Sequence, residues 1–162
     1  MLIIFSGLSG VGKTTIARAL ATAIGAVHLR IDSIEQALRR CGVTVEAEGY
    51  VAAYAVAEDN LRLGRIVIAD SVNPWPLTRE AWRSVAVRAG CASLDVEIVC
   101  SDTGTHRWRV ESRVADIPGH ALPTWPEVIG RDYRPWTSER MVIDSARTDA
   151  NESVKTIISA IS

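Results

Sequence analysis

The chain has 162 residues, 48% of them hydrophobic and 23% charged, with a formal net charge of −1 at pH 7. That length suits one domain, residues 1–162, around one core, and the hydrophobic content is too high for a disordered chain. The charge balance offers no overall attraction to long nucleic acid or to an anionic membrane, and no apolar run approaches bilayer-spanning length. Few residues precede the first motif and none forms a basic leader, so the folded domain is expected to start at Met1 without a signal peptide. Cys41, Cys91 and Cys100 form no C-x-x-C pair and no even set, which predicts reduced thiols in a cytoplasmic protein. His28, His106 and His120 show no metal-ligand spacing and read as structural or surface residues.

In chain order, Leu2-Ile3-Ile4-Phe5 reads as a short buried strand. It runs into Gly7-Leu8-Ser9-Gly10-Val11-Gly12-Lys13-Thr14, followed by Thr15. This stretch fits the phosphate-cradling pattern G-x-x-x-x-G-K-[ST] at every fixed position. Glycines let the backbone wrap an anion so that successive N–H groups point inward. Lys13 would then reach the β- and γ-phosphates, and the Thr14 hydroxyl would ligate Mg²⁺. Thr14 to Ile24 reads as a helix, with Ile16, Ala17, Leu20 and Ile24 at helical spacing, so its positive end faces the phosphates. Gly25 stops it, and residues 26–31 form a second strand. Ser33 or Asp32 caps a short helix to about Arg40, and 47–63 is a longer helical pattern. Ile66-Val67-Ile68-Ala69 is a third strand ending at Asp70; Thr78 would cap a helix to about Ala89. Leu94–Cys100 is a fourth strand, and 103–114 reads as a basic helix. Residues 115–126 are broken by Pro118, Gly119 and Pro123. A short helix over 127–132, a fifth strand over 140–143 and an amphipathic helix over 152–161 complete the chain.

Short apolar runs alternating with helices imply a parallel sheet covered on both faces, with ligands beyond the strands' C-terminal edge. The phosphate loop, Asp32 and Asp70 all follow strands, so all can face one cleft. Asp70, closing a run of four apolar residues, would hold Mg²⁺ directly or through water. Asp32 would collect or orient the hydroxyl proton of a phosphoryl acceptor; its plainer reading is a helix cap. Arg109 and Arg113 are spaced to share one helical face, while Arg107 can pair with Glu111. Guanidiniums suit phosphate oxygens, so Arg109 and Arg113 would anchor a lid over about 107–134 that excludes water from the transfer. Arg131 and Arg134 are weaker candidates for that role. Trp75 and Trp125 are the tryptophans placed to line a ligand pocket.

On these residues the chain resembles the small P-loop kinases of the AAA-like ATP-binding group. That group is similar to the polynucleotide 5′-kinase domain, chloramphenicol phosphotransferase, zeta toxin, gluconate kinase and adenylylsulfate kinase. The resemblance rests on Gly7 to Thr15, Arg30-Ile31-Asp32, Ile68-Ala69-Asp70-Ser71 and Arg109 to Arg113. It implies a three-layer α/β fold with a five-stranded parallel sheet and a helical lid. It further implies Lys13, Asp32, Arg109 and Arg113 as catalytic residues, with Asp32 similar in position to the general base. Gly7, Ser9, Gly10, Val11, Gly12, Lys13, Thr14 and Thr15 would bind the nucleotide, and Thr14 and Asp70 the metal. Asp32 is followed by Ser33 rather than the arginine of the polynucleotide type, which favours a small-molecule acceptor. No N-K-x-D guanine-reading motif occurs, leaving ATP as donor, its adenine expected near Ser145 to Thr148. Two other readings fit the same motif: a regulatory ATP-binding or ATPase module, and a nucleic-acid 5′-hydroxyl kinase.

Overall fold

In the computed structural model, which describes residues 1–161, the elements follow in the order β1 (Leu2–Ser6), α1 (Lys13–Ile24), β2 (Val27–Arg30), α2 (Ile31–Arg40), α3 (Glu48–Arg62), β3 (Val67–Asp70), α4 (Pro76–Arg88), β4 (Ser93–Val99), α5 (Thr103–Ser112), α6 (Trp125–Ile129), β5 (Met141–Asp144) and α7 (Ala150–Ile161). β1 is buried along its whole length, and its period of two sorts its side chains into two cores. Ile3 and Phe5 pack with Ile16, Ala17 and Leu20 of α1 and with Val154 and Ile157 of α7. Leu2 and Ile4 point the other way, onto Ala53, Ala57 and Leu61 of α3 and Trp82, Val85 and Ala86 of α4. Each large apolar side chain so buried contributes about 1.5–3 kcal/mol. A strand hydrophobic on both faces requires helices on both, and the result is three layers.

All five strands are parallel, in the order β2-β3-β1-β4-β5. The chain leaves β1 for α1 on one face and leaves the adjacent β3 for α4 on the other. A crevice opens at such a divergence, beyond the C-terminal edge. Register aligns Arg30, Asp70 and Phe5 in one row across β2, β3 and β1, so the start of α2 and the loops after β3 and β1 emerge side by side. No helix among the described residues is long and apolar enough to cross a membrane.

The strands lie within a residue or two of expectation, while α2, α4, α5 and α6 differ at their ends. α2 starts at Ile31, so Asp32 lies inside its first turn and is not its cap; there the carboxylate still meets the positive end of the helix. α4 starts at Pro76 with Trp75 as N-cap. Proline at the first helical position has no N–H to orphan, and Thr78, expected as the cap, donates to Trp75 O at 3.0 Å instead. α6 covers 125–129 rather than 127–132, because the Glu127 carboxylate accepts from Thr124 N (2.7 Å) and Thr124 Oγ1 (2.8 Å) and fixes the start there. α5 ends at Ser112, and Arg113 is extended at φ −69°, ψ 146°. Asp116 is drawn to arginines on other elements, and Pro118 prevents the helix from resuming.

Candidate active site

The loop after β1 holds three glycines at positive φ: Gly7 (134°), Gly10 (85°) and Gly12 (99°). A Cβ on Gly7 would stand 2.2 Å from Ile98 O, and one on Gly10 would stand 2.5 Å from Val110 Cγ2. Conformation and space both demand glycine there. The surrounding protein also braces the loop. Gly7 N donates to Val72 O at 3.1 Å, His106 Nε2 to Ser9 O at 2.8 Å, and Ser145 Oγ to Val11 O at 2.7 Å. The last two contacts engage the loop's carbonyls from outside and Gly7 spends its amide at the start of the loop, so the amides further along remain for an anion.

Lys13 opens α1 at the rim of the loop. Its Nζ donates to Leu8 O at 2.8 Å, and burial pushes its pKa down to about 8. Asp70 and Asp32 oppose that shift, whereas Arg113 and Arg131 add to it. Asp70 is buried at the end of β3, with His28 Nε2 donating to its Oδ2 at 3.2 Å. Burial alone would raise its pKa, but His28, the Lys13 charge and the Thr14 hydroxyl outweigh it and hold the carboxyl below its ordinary range. Asp70 therefore stands ionised beside Thr14. No group of three or more His, Cys, Asp or Glu side chains gathers as a metal site among the described residues. A hydroxyl and one charged carboxylate next to a phosphate cradle nonetheless fit Mg²⁺, which keeps several waters and shares its coordination with phosphates.

A cavity of about 730 Å³ runs along this edge. Ser145, Thr148 and Ala150, with Trp108 and Arg109, line it on the β5 side; Arg30, Asp32, Asp116 and Leu122 line it on the β2 side. Of the residues expected from sequence, Ser9, Gly10, Gly12, Lys13, Thr14, Thr15, Asp32, Asp70, Arg109 and Arg113 all line it, with Gly7 and Val11 in the loop behind. Asp32 is 47% exposed; its Oδ2 stands 3.9 Å from Arg30 Nη2 and 4.0 Å from His120 Nε2.

The two arginines expected on one helical face part company, because α5 ends between them. Arg109 turns toward β5, donating to Ser145 Oγ (2.9 Å) and Ser145 O (3.1 Å). Arg113 turns the other way, where Asp32, Arg30 and Asp116 act on it. The Arg107–Glu111 pair forms as expected, at 2.9 Å. Arg131 is near enough to Lys13 to affect its charge, while Arg134 is exposed and paired with Asp132 at 2.9 Å. Neither Trp75 nor Trp125 lines the cavity. Trp75 donates to Asp132 Oδ2 at 3.2 Å, and Trp125 packs edge-on against His106. Trp108 takes the position at the cavity wall. Sequence reading missed His106 and His28, and placed Ser145 beside the adenine without its hold on the phosphate loop, because each acts on a partner 42 to 134 residues away.

A braced glycine loop between a central parallel strand and the helix it opens, in a three-layer α/β sandwich, defines a P-loop NTPase fold. The chain belongs to the AAA domain family, whose sequence profile matches residues 2–125. The fold is also similar to that of a protein from Chloroflexus aurantiacus J-10-fl whose kinase assignment is itself a proposal (23% identity, 98% of this chain and 96% of that one, TM-score 0.77). Chaetomium thermophilum Kti12 in complex with ADP-AlF3 matches over 100% of both chains at 21% identity and TM-score 0.72. The Mycobacterium tuberculosis APS kinase CysC in complex with AMPPNP and APS matches over 99% of this chain and 96% of that one, at 15% identity and TM-score 0.68. At these identities the likeness concerns the fold alone, and together with the family match it bears out the resemblance in fold to the small P-loop kinases. A comparison with curated proteins gave no match. Fold alone does not decide a reaction; the site has to.

Proposed function

We propose that this protein is an ATP- and Mg²⁺-dependent kinase that phosphorylates a hydroxyl group of a small molecule in the cytoplasm. One observation carries the reading. Asp32 places a half-exposed carboxylate in the same cavity as the phosphate loop, accepting no hydrogen bond from the described residues and capping no helix. A module that only binds or hydrolyses ATP has no use for such a group.

The loop and Lys13 hold the β- and γ-phosphates, and Thr14 and Asp70 hold Mg²⁺, which when bound neutralises charge on the phosphates. The adenine lies on the β5 side, against Arg109, Trp108 and the loop at Ser145. Arg113, rather than Arg109, is the arginine for the transferred phosphoryl group, because it faces Asp32 across the cavity. Asp32 orients the acceptor hydroxyl and takes its proton; the freed oxygen bonds to the γ-phosphorus while the bond to the ADP oxygen breaks. Residues 113–134 act as the lid. The segment crosses α2 and the loop that follows β3, held by Gln36 and Arg40 of α2 donating to Pro118 O and by Arg134 N donating to Pro74 O. Excluding water there turns a hydrolase into a transferase. The near-neutral charge argues against a nucleic-acid end as acceptor.

The test is transfer of labelled γ-phosphate from ATP across a panel of sugars, sugar acids, polyols, nucleosides and antibiotics. Labelling of one acceptor class, dependent on Mg²⁺, is the expected result. Brisk ATP hydrolysis with every acceptor unlabelled would overturn the assignment and leave a regulatory ATPase.

A further inference from the structure

At the β2 end of the cavity the charges are arranged in a way that phosphoryl transfer alone does not explain. Arg18 Nη2 of α1 and Arg30 Nη1 at the end of β2 converge on a single oxygen, Asp116 Oδ2, at 2.6 and 2.7 Å. Arg113 is the third guanidinium in this corner and feels the charges of Arg30, Asp32 and Asp116. Arg30 is only 12% exposed, and its Nε is buried with no hydrogen-bond partner among the described residues. Arg113 Nε and Nη2 are buried and unpartnered in the same way. Buried guanidinium N–H groups without acceptors are costly, and two arginines that repel one another make them more so. Among the described residues Asp116 is the one carboxylate touching two of these arginines, and it takes a single nitrogen from each, Arg18 Nη2 and Arg30 Nη1, leaving Arg30 Nε without an acceptor. Asp32, at 3.9 Å from Arg30, is beyond hydrogen-bond reach.

The arginines and the carboxylate differ in how they are held. Arg18 and Arg30 stand on a helix and on a strand of the central sheet. Asp116 stands on the irregular stretch between α5 and α6, two residues before Pro118, and its side chain is 43% exposed. Arg18 and Arg30 are preorganised, whereas Asp116, with Arg113, is on the part able to move. Of the three arginines, Arg113 also acts on Lys13 and is the one that reaches the transferred phosphoryl group, whereas Arg30 stands apart from it. β3 separates β2 from β1, so the Arg30 row end and the phosphate loop are about 10 Å apart, two strand spacings.

We propose that Arg18, Arg30 and Arg113 form a subsite for an anionic substituent, a carboxylate or a phosphate, carried by the acceptor, and that Asp116 fills this subsite as an internal stand-in until the acceptor displaces it. The inference rests on the kinase reading above and names the class of its substrate: a molecule bearing both a hydroxyl for Asp32 and an anion for the arginines. Bidentate pairing with a carboxylate or phosphate would satisfy the N–H groups that Asp116 leaves idle. A neutral alcohol cannot displace the carboxylate, so the corner selects against it.

Two arms test this. In the first, protein saturated with AMPPNP and Mg²⁺, so that the phosphate loop is filled, is titrated with inorganic phosphate and with sulfate by calorimetry. Asp116→Asn is expected to bind these anions about tenfold more tightly than wild type, and Arg18→Gln to abolish the binding. In the second arm, matched acceptors differing only in charge (gluconate against sorbitol, glycerate against glycerol) are compared for phosphoryl transfer. The anionic member should be favoured about 100-fold in kcat/KM, and Arg18→Gln should erase that preference without changing the KM for ATP. Equal use of neutral and anionic members, or anion affinity that Asp116→Asn leaves unchanged, overturns the subsite. If no acceptor of any charge is labelled while Asp116→Asn still tightens phosphate binding, the kinase reading falls and the anion subsite stands. Arg18 lies on the exposed side of α1, so its substitution spares the core; Arg30→Lys, keeping charge without the fork, should retain part of the preference.

Discussion

The two ends of the cavity are built on opposite plans. Above β1 the ligand-binding surface is backbone: three glycines at positive φ, with carbonyls braced by His106 and Ser145. Above β2 it is side chain: Arg18, Arg30, Asp32, Arg113 and Asp116, drawn from four segments and held by charge. A triphosphate is the same in every cell, so a rigid cradle serves it. An acceptor is particular to one enzyme, and side chains drawn from separate segments are how a shared fold acquires its own substrate. The difference predicts that changes at the first end damage everything, whereas changes at the second damage transfer and choice.

Asp32→Asn is the sharpest break between the two. It keeps the shape and removes the proton acceptor, so kcat should fall by about 10²- to 10⁴-fold. Binding of AMPPNP should be almost unchanged, since the phosphate loop lies on a different strand. If Asp32→Asn leaves ATP turnover intact, the carboxylate has no chemical task and the protein is a switch. Gly10→Ala makes the opposite break. Its Cβ would meet Val110 Cγ2 at 2.5 Å with φ held at 85°, and strain of this kind costs about 1–3 kcal/mol. For a chain of this size the melting temperature should drop by about 2–4 °C per kcal/mol. Nucleotide affinity should fall with it, because the loop must move to admit the methyl group. A variant that melts like wild type and binds ATP as well would show that the cradle is looser than its contacts imply.

How much of this is legible in sequence follows from the same contrast. The strand, the glycine loop and the start of α1 are contiguous, and each local signal there agrees with the fold. Leu2 to Phe5 reads as a buried strand because both faces are apolar, and it is one. The β2 end is different. Arg18 and Arg30 meet Asp116 across 98 and 86 residues, and no spacing rule connects them. The end of α5 is lost for the same reason. Arg109 and Arg113 have perfect helical spacing, yet the pull on Asp116 and the block at Pro118 end the helix first. His28 and His106 looked idle because their partners, Asp70 and the Ser9 carbonyl, lie on other elements.

The smallest expected effect is a proton. Burial pushes the Lys13 ammonium from its ordinary 10.5 down to about 8. The unfolded chain therefore binds more protons than the folded one between those two values, and the stability of the ligand-free protein should rise with pH across that window. Phosphates beside Nζ favour the charged form and push the pKa back up. Nucleotide binding at pH 9 should then take up about one proton, and at pH 7, where Lys13 is already charged, almost none. Calorimetry of AMPPNP binding in two buffers of different ionisation enthalpy reads this directly, and affinity should weaken as pH climbs through 8. Lys13→Met should remove both the proton uptake and the stability gain. Asp32→Asn should lower the pKa of Lys13 further, since Asp32 is one of the two carboxylates that oppose its neutralisation, and so move the onset of uptake to lower pH. The direction of that movement ties the two ends of the cavity together: Asp32 at one end would be felt electrostatically by Lys13 at the other, even though no hydrogen bond joins them.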